Sequence, residues 1–338
     1  MISIIIPVYN TPLELLKRCL LSIRQQLFTD WETIIINDGS TLFTESDLRS
    51  VCGRDNRIRV ITQDNKGVSV ARNVGVFAAK GEYIAFIDGD DTISKGFLQE
   101  SYIEAKKYNA DMIIGCIEYV PYVDVKQGVL KKKVFRNSEI VDVKKALLGI
   151  PQNSIEFSIL GTPCGRLYRS EIVKKVLFRE NIPLCEDLIF NREFIEEVSC
   201  IVVVPSMWYQ YYQNDFSAMH YQFNEKYLER MKKFWNVWAE LNINEKNEEI
   251  KKYLIKSSLS LYMSVVRRSV VPTTGNFLNK RKKMKNILKE KIFCDAIKKL
   301  NFQDLKSFKD KVLLFLIKYR ILYPIYITQK IKYKRGCK

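Results

Sequence analysis

The first 116 residues alternate short apolar runs with helical segments, and few folds accommodate that rhythm. Ile2–Ile6 is a continuous run of mostly β-branched residues, the pattern of a strand buried on both faces. Thr11–Gln26 follows, with Leu13, Leu16, Leu20 and Ile23 at helical spacing. Thr33–Ile36, Arg57–Ile61, Tyr83–Ile87 and Asp111–Cys116 read as further strands. Between them lie helical segments at Thr44–Cys52, Ser69–Ala79 and Phe97–Tyr108, with Thr44 and Asp47 as an imperfect capping box and Gly81 closing the third helix. This order predicts an α/β fold on a doubly wound, mostly parallel sheet with helices on both faces. Residues 117–150 read as an insertion, a candidate hairpin with a basic tip at Lys131–Lys133. Residues 151–215 return to mixed character, and the chain from 221 onward reads as helical. Two domains are expected, 1–220 and 221–338.

Sheets of this kind bind ligands beyond the carboxyl ends of their strands, so the residues there carry the functional information. The first strand ends in Pro7-Val8-Tyr9-Asn10 and the second in Asn37-Asp38-Gly39-Ser40. The third ends in Asp64-Asn65-Lys66-Gly67 and the fourth in Asp88-Gly89-Asp90-Asp91. Any one of these is an ordinary turn composition. Four in succession, three of them acidic, point to one polar crevice. The Asp88–Asp91 cluster packs three carboxylates into four residues directly after an apolar strand, and such a cluster calls for a cation. Mg²⁺ and Mn²⁺ take oxygen ligands, often one or two carboxylates plus substrate phosphates. Asp38 and Arg72 suit a base, a ribose or a phosphate, and Tyr9 offers a flat face. No Gly-x-Gly-x-x-Gly follows the first strand and no Gly-x-x-x-x-Gly-Lys-Ser/Thr occurs. This argues against a nicotinamide or flavin enzyme and against an ATPase.

In this order and spacing, Ile4–Asn10, Asn37–Ser40, Asn65–Asn73 and Asp88–Asp91 resemble the family 2 glycosyltransferases, and Cys185–Asn191 looks like that family's Glu-Asp motif. The likeness covers roughly residues 1–215. It implies a GT-A fold, an inverting transfer from a nucleotide-sugar, a UDP-sugar above all, and a divalent metal. The acceptor would be a saccharide or lipid-linked saccharide of polysaccharide synthesis. Under that resemblance residues 1–116 bind the nucleotide-sugar and 117–220 form the acceptor side. Pro7, Tyr9 and Asp38 would hold base and ribose. Asn65, Gly67 and Arg72 would line the same pocket, with Asn10 and Gly89 as further nucleotide-binding positions. Asp88 would sit by the ribose and, with Asp90, serve the metal; His220 stands where some GT-A enzymes offer a late metal ligand. Asp187 would be the general base and Glu186 a second candidate or orienting group. The sequence departs from the family in two places. Gly165-Arg166-Leu167-Tyr168 stands where Asn-Lys-Leu-Tyr is common. Trp208–Gln213 stands where an arginine-containing aromatic segment is common.

The charge is divided unevenly. The net charge is +17, yet residues 221–338 hold 29 Lys+Arg against 10 Asp+Glu, while residues 1–220 are nearly balanced. Residues 279–291 are a lysine-rich run, and residues 311–335 interleave Leu, Ile, Phe and Tyr with Lys and Arg. Lys318, Arg320 and Pro324 interrupt that apolar stretch, which therefore reads as lying at a membrane interface, not crossing it. Eight cysteines without a Cys-x-x-Cys, beside the single His220, argue against a zinc site or a disulfide framework. The expectation is a cytoplasmic enzyme with reduced core thiols, peripheral at the inner face of the cell membrane, with no nucleic-acid partner. A nucleotidyltransferase would share the sheet and the metal but release pyrophosphate. A nucleic-acid-binding protein would use the basic region but leave Asp88–Asp91 unexplained.

Overall fold

The computed structural model describes residues 1–120, 133–140, 143–144, 162–212, 225–243, 245–305 and 307–336. They fall into two compact units, Met1–His220 and Tyr221–Lys338.

The first unit is built on one nine-stranded sheet. Strands β1 (Ile2–Val8), β2 (Trp31–Asp38), β3 (Ile58–Gln63) and β4 (Tyr83–Phe86) are parallel, in the order β3-β2-β1-β4. They are joined by α1 (Leu13–Arg24), α2 (Glu45–Cys52) and α3 (Val68–Ala78). Pairing alternates between faces. Ile2, Ile4, Ile6 and Val8 share a core with Leu16, Cys19, Leu20 and Ile23 of α1. Ile5 points the other way, into a core with Ala71 and Val76 of α3. The two-residue period of β1 therefore places helices on both faces. Gly75 lets α3 approach β1, since a Cβ there would stand 2.4 Å from Ile5 Cγ2. The capping box of α2 is complete: Thr44 Oγ1 accepts from Asp47 N at 3.2 Å and Asp47 Oδ2 from Thr44 N at 2.9 Å.

Beyond β4 the sheet becomes mixed. β8 (Arg166–Arg169) runs antiparallel between β4 and β6 (Met112–Val120), and β9 (Cys200–Tyr212) runs parallel to β6. The two-residue β5 (Thr92–Ile93) and β7 (Lys133–Arg136) are antiparallel to β9. Residues 117–120 thus continue β6. The hairpin expected from 117–150 does not form among the described residues, because β7 pairs with β9. The apolar run Cys200–Val204 needs neighbours on both edges, and β6 and β7 supply them. Lys131 and Lys132 lie outside the described residues. Helices α4 (Phe97–Tyr108), α5 (Ser170–Val176) and α6 (Glu186–Glu196) also belong to the described part of this unit.

The second unit is helical: α7 (Glu225–Ile243), α8 (Glu248–Val265), α9 (Phe277–Ile287), α10 (Lys291–Lys299), α11 (Phe308–Lys318) and α12 (Leu322–Gly336). Asn247 and Asn276 cap α8 and α9 through their side chains. A π turn over Val266–Val270 follows α8. The core includes Trp235, Tyr262 and Phe293, whose rings pack edge to face. Among the described residues no helix is long and apolar enough to cross a membrane.

Candidate active site

The parallel order β3-β2-β1-β4 brings the loops after all four strands to one edge of the sheet. The described residues singled out in the sequence sit on those loops and on α3 and α6, and side-chain bonds tie the loops together.

Asn10 is in the left-handed region, φ 53°, which asparagine tolerates. Its Oδ1 accepts from Thr41 N at 2.7 Å and Leu42 N at 3.1 Å, and its own N–H donates to Ser40 Oγ at 3.0 Å. The loops after β1 and β2 are therefore clamped together. Asp38, almost fully buried, ties the second loop to the third: it accepts from Gln63 Nε2 at 2.7 Å and from Lys66 N and Gly67 N at 2.8 Å each. Gly39, at φ 70°, is required where these loops meet, because a Cβ would lie 2.6 Å from Asn65 N. Pro7 is half-buried near the end of β1, and Tyr9, one of the few large exposed aromatics of this unit, is 53% exposed. Gly67, at φ 93°, precedes α3.

Arg72, one turn into α3, is the hub. Its guanidinium is buried and donates to Asp88 Oδ1 through Nη2 and to Glu186 Oε1 through Nη1, both at 3.2 Å. The Phe178 ring lies under it, 5.1 Å away. Phe178 is in turn fixed by Asn73, which donates to its carbonyl and accepts from its N–H, both at 2.8 Å. Burial alone disfavours the guanidinium charge, but Asp88 and Glu186 outweigh it, so the charge is held above its ordinary strength. One side chain thus brings the end of β4 against the start of α6.

Within Asp88–Asp91 the carboxylates differ. Asp88 remains partly exposed beside Arg72, and Cys164 donates weakly to its Oδ2 at 3.7 Å. Gly89 is buried, Asp90 half-buried, and the Asp90 carbonyl accepts from Arg18 at 2.6 Å. Asp91 is buried and turned inward. It accepts from Tyr209 Oη at 2.6 Å and Tyr212 N at 2.8 Å. Tyr209 Oη also accepts from Asp88 N at 3.1 Å. Burial, with Asp88 close by, pushes Asp91 up to about 8.

The helix α6 opens after Cys185, itself left-handed at φ 58°, and places Glu186 and Asp187 in its first turn, where acids are favoured. Asp187 Oδ1 accepts from Leu188 N at 2.8 Å. Burial first, then the neighbouring Glu186, raise the Asp187 carboxyl to about 7 against the opposing pull of Arg72. The two adjacent acids differ in their surroundings: Glu186 accepts from the Arg72 guanidinium, while burial disfavours the charged form of Asp187.

Sequence reasoning passed over Tyr209 as an individual residue, and Asn73 and Phe178 as the support beneath Arg72. Tyr209 lies in the Trp208–Gln213 segment, noted only as a departure. Its signal was positional: an inward-facing tyrosine near the end of an apolar strand needs a polar partner for its hydroxyl. In the other departure, Arg166 is buried in β8, and Tyr168 donates to Asn191 Oδ1 at 2.7 Å. Gln213 and His220 lie outside the described residues.

Comparison with known proteins gives a consistent picture. The sequence model described as "Glycosyl transferase family 2" matches residues 3–177. The chain is 28% identical to an uncharacterised glycosyltransferase, EpsJ, of Bacillus subtilis, over 96% of this chain and 94% of that one. It is 27% identical to the poly(ribitol-phosphate) β-N-acetylglucosaminyltransferase TarP of Staphylococcus aureus, over 65% of each. Among solved structures, S. aureus TarS 1–349 in complex with UDP superposes with a TM-score of 0.68 at 20% identity, covering 99% of this chain and 91% of that one. That likeness establishes the GT-A fold.

Proposed function

The chain belongs to glycosyl transferase family 2, and from that premise we propose that it moves a sugar from a UDP-sugar to a saccharide hydroxyl with inversion, using Asp187 as general base. The observation that carries this reading is the Arg72 bridge, which sets the carboxylate loop after β4 against the α6 acids. The named relatives add weight: one solved neighbour holds UDP, and one curated relative transfers N-acetylglucosamine to a phosphate-linked polyol chain.

Tyr9 and the clamped loops after β1, β2 and β3 would receive the nucleoside. Asp38 would act chiefly by fixing the Lys66–Gly67 backbone, given its three bonds there. The acceptor hydroxyl attacks the anomeric carbon as its bond to the diphosphate oxygen breaks. The hydroxyl proton goes to Asp187, and the bond electrons leave with UDP. Arg72 holds Asp88 and Glu186 in place during this step.

The donor set fits a hard divalent cation. Asp91 is buried and bonded to Tyr209 and Tyr212, whereas Asp88 and Asp90 are each partly exposed, which makes these two the better candidates for a metal. Among the described residues no group of three His, Cys, Asp or Glu side chains encloses a metal by itself. Asp90 and Asp88 would therefore hold Mn²⁺ or Mg²⁺ together with diphosphate oxygens, the usual mode for these ions. Such an ion, when bound, neutralises charge on the leaving diphosphate.

The test is UDP release from a panel of nucleotide-sugars, with Mn²⁺ and with EDTA, for the wild type and Asp90→Ala. Metal-dependent release from one donor, lost in the variant and leaving a sugar of inverted anomeric configuration, is the expected result. Pyrophosphate release from a nucleoside triphosphate would make the chain a nucleotidyltransferase instead.

A further inference from the structure

The last two helices of the second unit carry an apolar face that stays in solvent. Helix α11 buries Leu314 and Ile317. Phe308, Val312, Phe315 and Tyr319, spaced four, three and four residues apart, form a single stripe on another side of the helix. All four are exposed, Phe308 by 81% and Tyr319 by 65%. The rings of Phe315 and Tyr319 stand 4.6 Å apart. Ile321 and, at the start of α12, Tyr323 are exposed too, one side of the Tyr323 ring standing against Phe277 at 4.9 Å. Lys309 and Arg320 adjoin the stripe in the chain, and Lys330 and Lys332 on α12 are exposed as well. Residues 308–336 hold eight Lys and Arg against one acid, Asp310, and that acid is paired with Lys256 at 2.8 Å.

Large apolar side chains exposed in a row mark an interaction surface, and the charge around this one selects the partner. A duplex nucleic acid would occupy the cations and leave the rings in water, and a single strand, which stacks bases on rings, would leave the aliphatic Val312 and Ile321 unused. A second copy would bring two strongly basic surfaces together. A bilayer rich in anionic lipid takes both features, with rings at the headgroup boundary and cations over the phosphates. At about 1.5 Å per residue α11 is roughly 16 Å long, far short of a bilayer core of about 30 Å. We propose that the Phe308–Tyr319 stripe, extended through Ile321 to Tyr323, lies along an anionic membrane surface with its rings inserted and Lys309, Arg320, Lys330 and Lys332 over the headgroups. The proposal is independent of the glycosyl-transfer reading.

The experiment is sedimentation of the full-length protein with vesicles of phosphatidylcholine alone or with roughly one-third phosphatidylglycerol. The wild type is expected to sediment with the anionic vesicles, and this binding to weaken as salt rises. Phe308→Ser/Tyr319→Ser, two exposed positions, is expected to lower the partition coefficient by about a hundredfold, roughly tenfold per ring, with circular dichroism and donor hydrolysis unchanged. Wild-type protein that ignores anionic vesicles at low salt would overturn the proposal. So would a double variant that binds them as tightly as the wild type, since the cations alone would then suffice. A stripe that only mediates self-association, seen as dimers lost in the variant without vesicle binding, would overturn it as well.

Discussion

The two units handle charge in opposite ways. In the first, charged groups are drawn inward and matched. Arg72 is held by Asp88 and Glu186, and Arg169 by Asp111, which also accepts from Ser199 and Cys200. In the second, cations far outnumber acids, and ion pairs such as Lys232 with Glu290 and Lys256 with Asp310 engage only part of that excess. Inward, matched charge is costly to form and fixes geometry, as a site for a multiply charged ligand requires. Outward, unmatched charge contributes little to the fold and much to long-range attraction. If the proposals above hold, the first unit carries the chemistry and the second the attachment to a surface.

That contrast can be broken by mutation. The largest effect is expected from Asp187→Asn, which should lower sugar transfer by about 10²–10⁴-fold in steady-state assays while leaving vesicle sedimentation as in the wild type. Arg72→Ala removes the cation between two carboxylates. Its cost should be about 2–4 kcal/mol in denaturant unfolding, discounted because Asp88 is partly exposed. Tyr209→Phe leaves Asp91 and the Asp88 N–H each short of a partner and should cost about 1–3 kcal/mol, with weaker donor binding as the functional readout.

A smaller, pH-dependent effect follows from Asp187. Pushed up to about 7 in the fold, its carboxyl lies above the ordinary aspartate range of about 4. Between those values the folded protein keeps a proton that the unfolded chain has released. The group's contribution to stability therefore falls as pH rises through that window and is least favourable above 7. At pH 8 Asp187→Asn should accordingly be more stable than the wild type by about 1–2 kcal/mol while losing activity. The smallest effect belongs to the second unit, where Arg281→Glu/Lys282→Glu, at two exposed positions, should change unfolding by less than about 0.5 kcal/mol. A large loss there would mean that the basic helices are structural.

What the sequence revealed divides along the same line. The continuous apolar run of β1 and the helical spacing of α1 are local signals, and both elements formed within two residues of the expected bounds. The polar strand ends could be grouped because a parallel sheet brings them together by rule. Arg72 stood out as a candidate residue, but its bond to Glu186 spans 114 positions and no local pattern encodes it. The same holds for β7, whose partner lies more than sixty residues downstream. Asp91 looked like a third metal-side acid in the sequence; only its contact with Tyr209 shows it facing inward. In the second unit the basic, apolar composition was plain, whereas the stripe on α11 emerged only once Leu314 and Ile317 were seen to face the core.

The most direct test of the account is the pH dependence of UDP release from the preferred donor, measured for the wild type and Asp187→Asn at saturating Mn²⁺. The account predicts a wild-type rate that climbs through about pH 7 and a low, flat profile in the variant. A variant that retained the same rise would show that another group takes the proton, and the assignment of Asp187 as the base would be wrong.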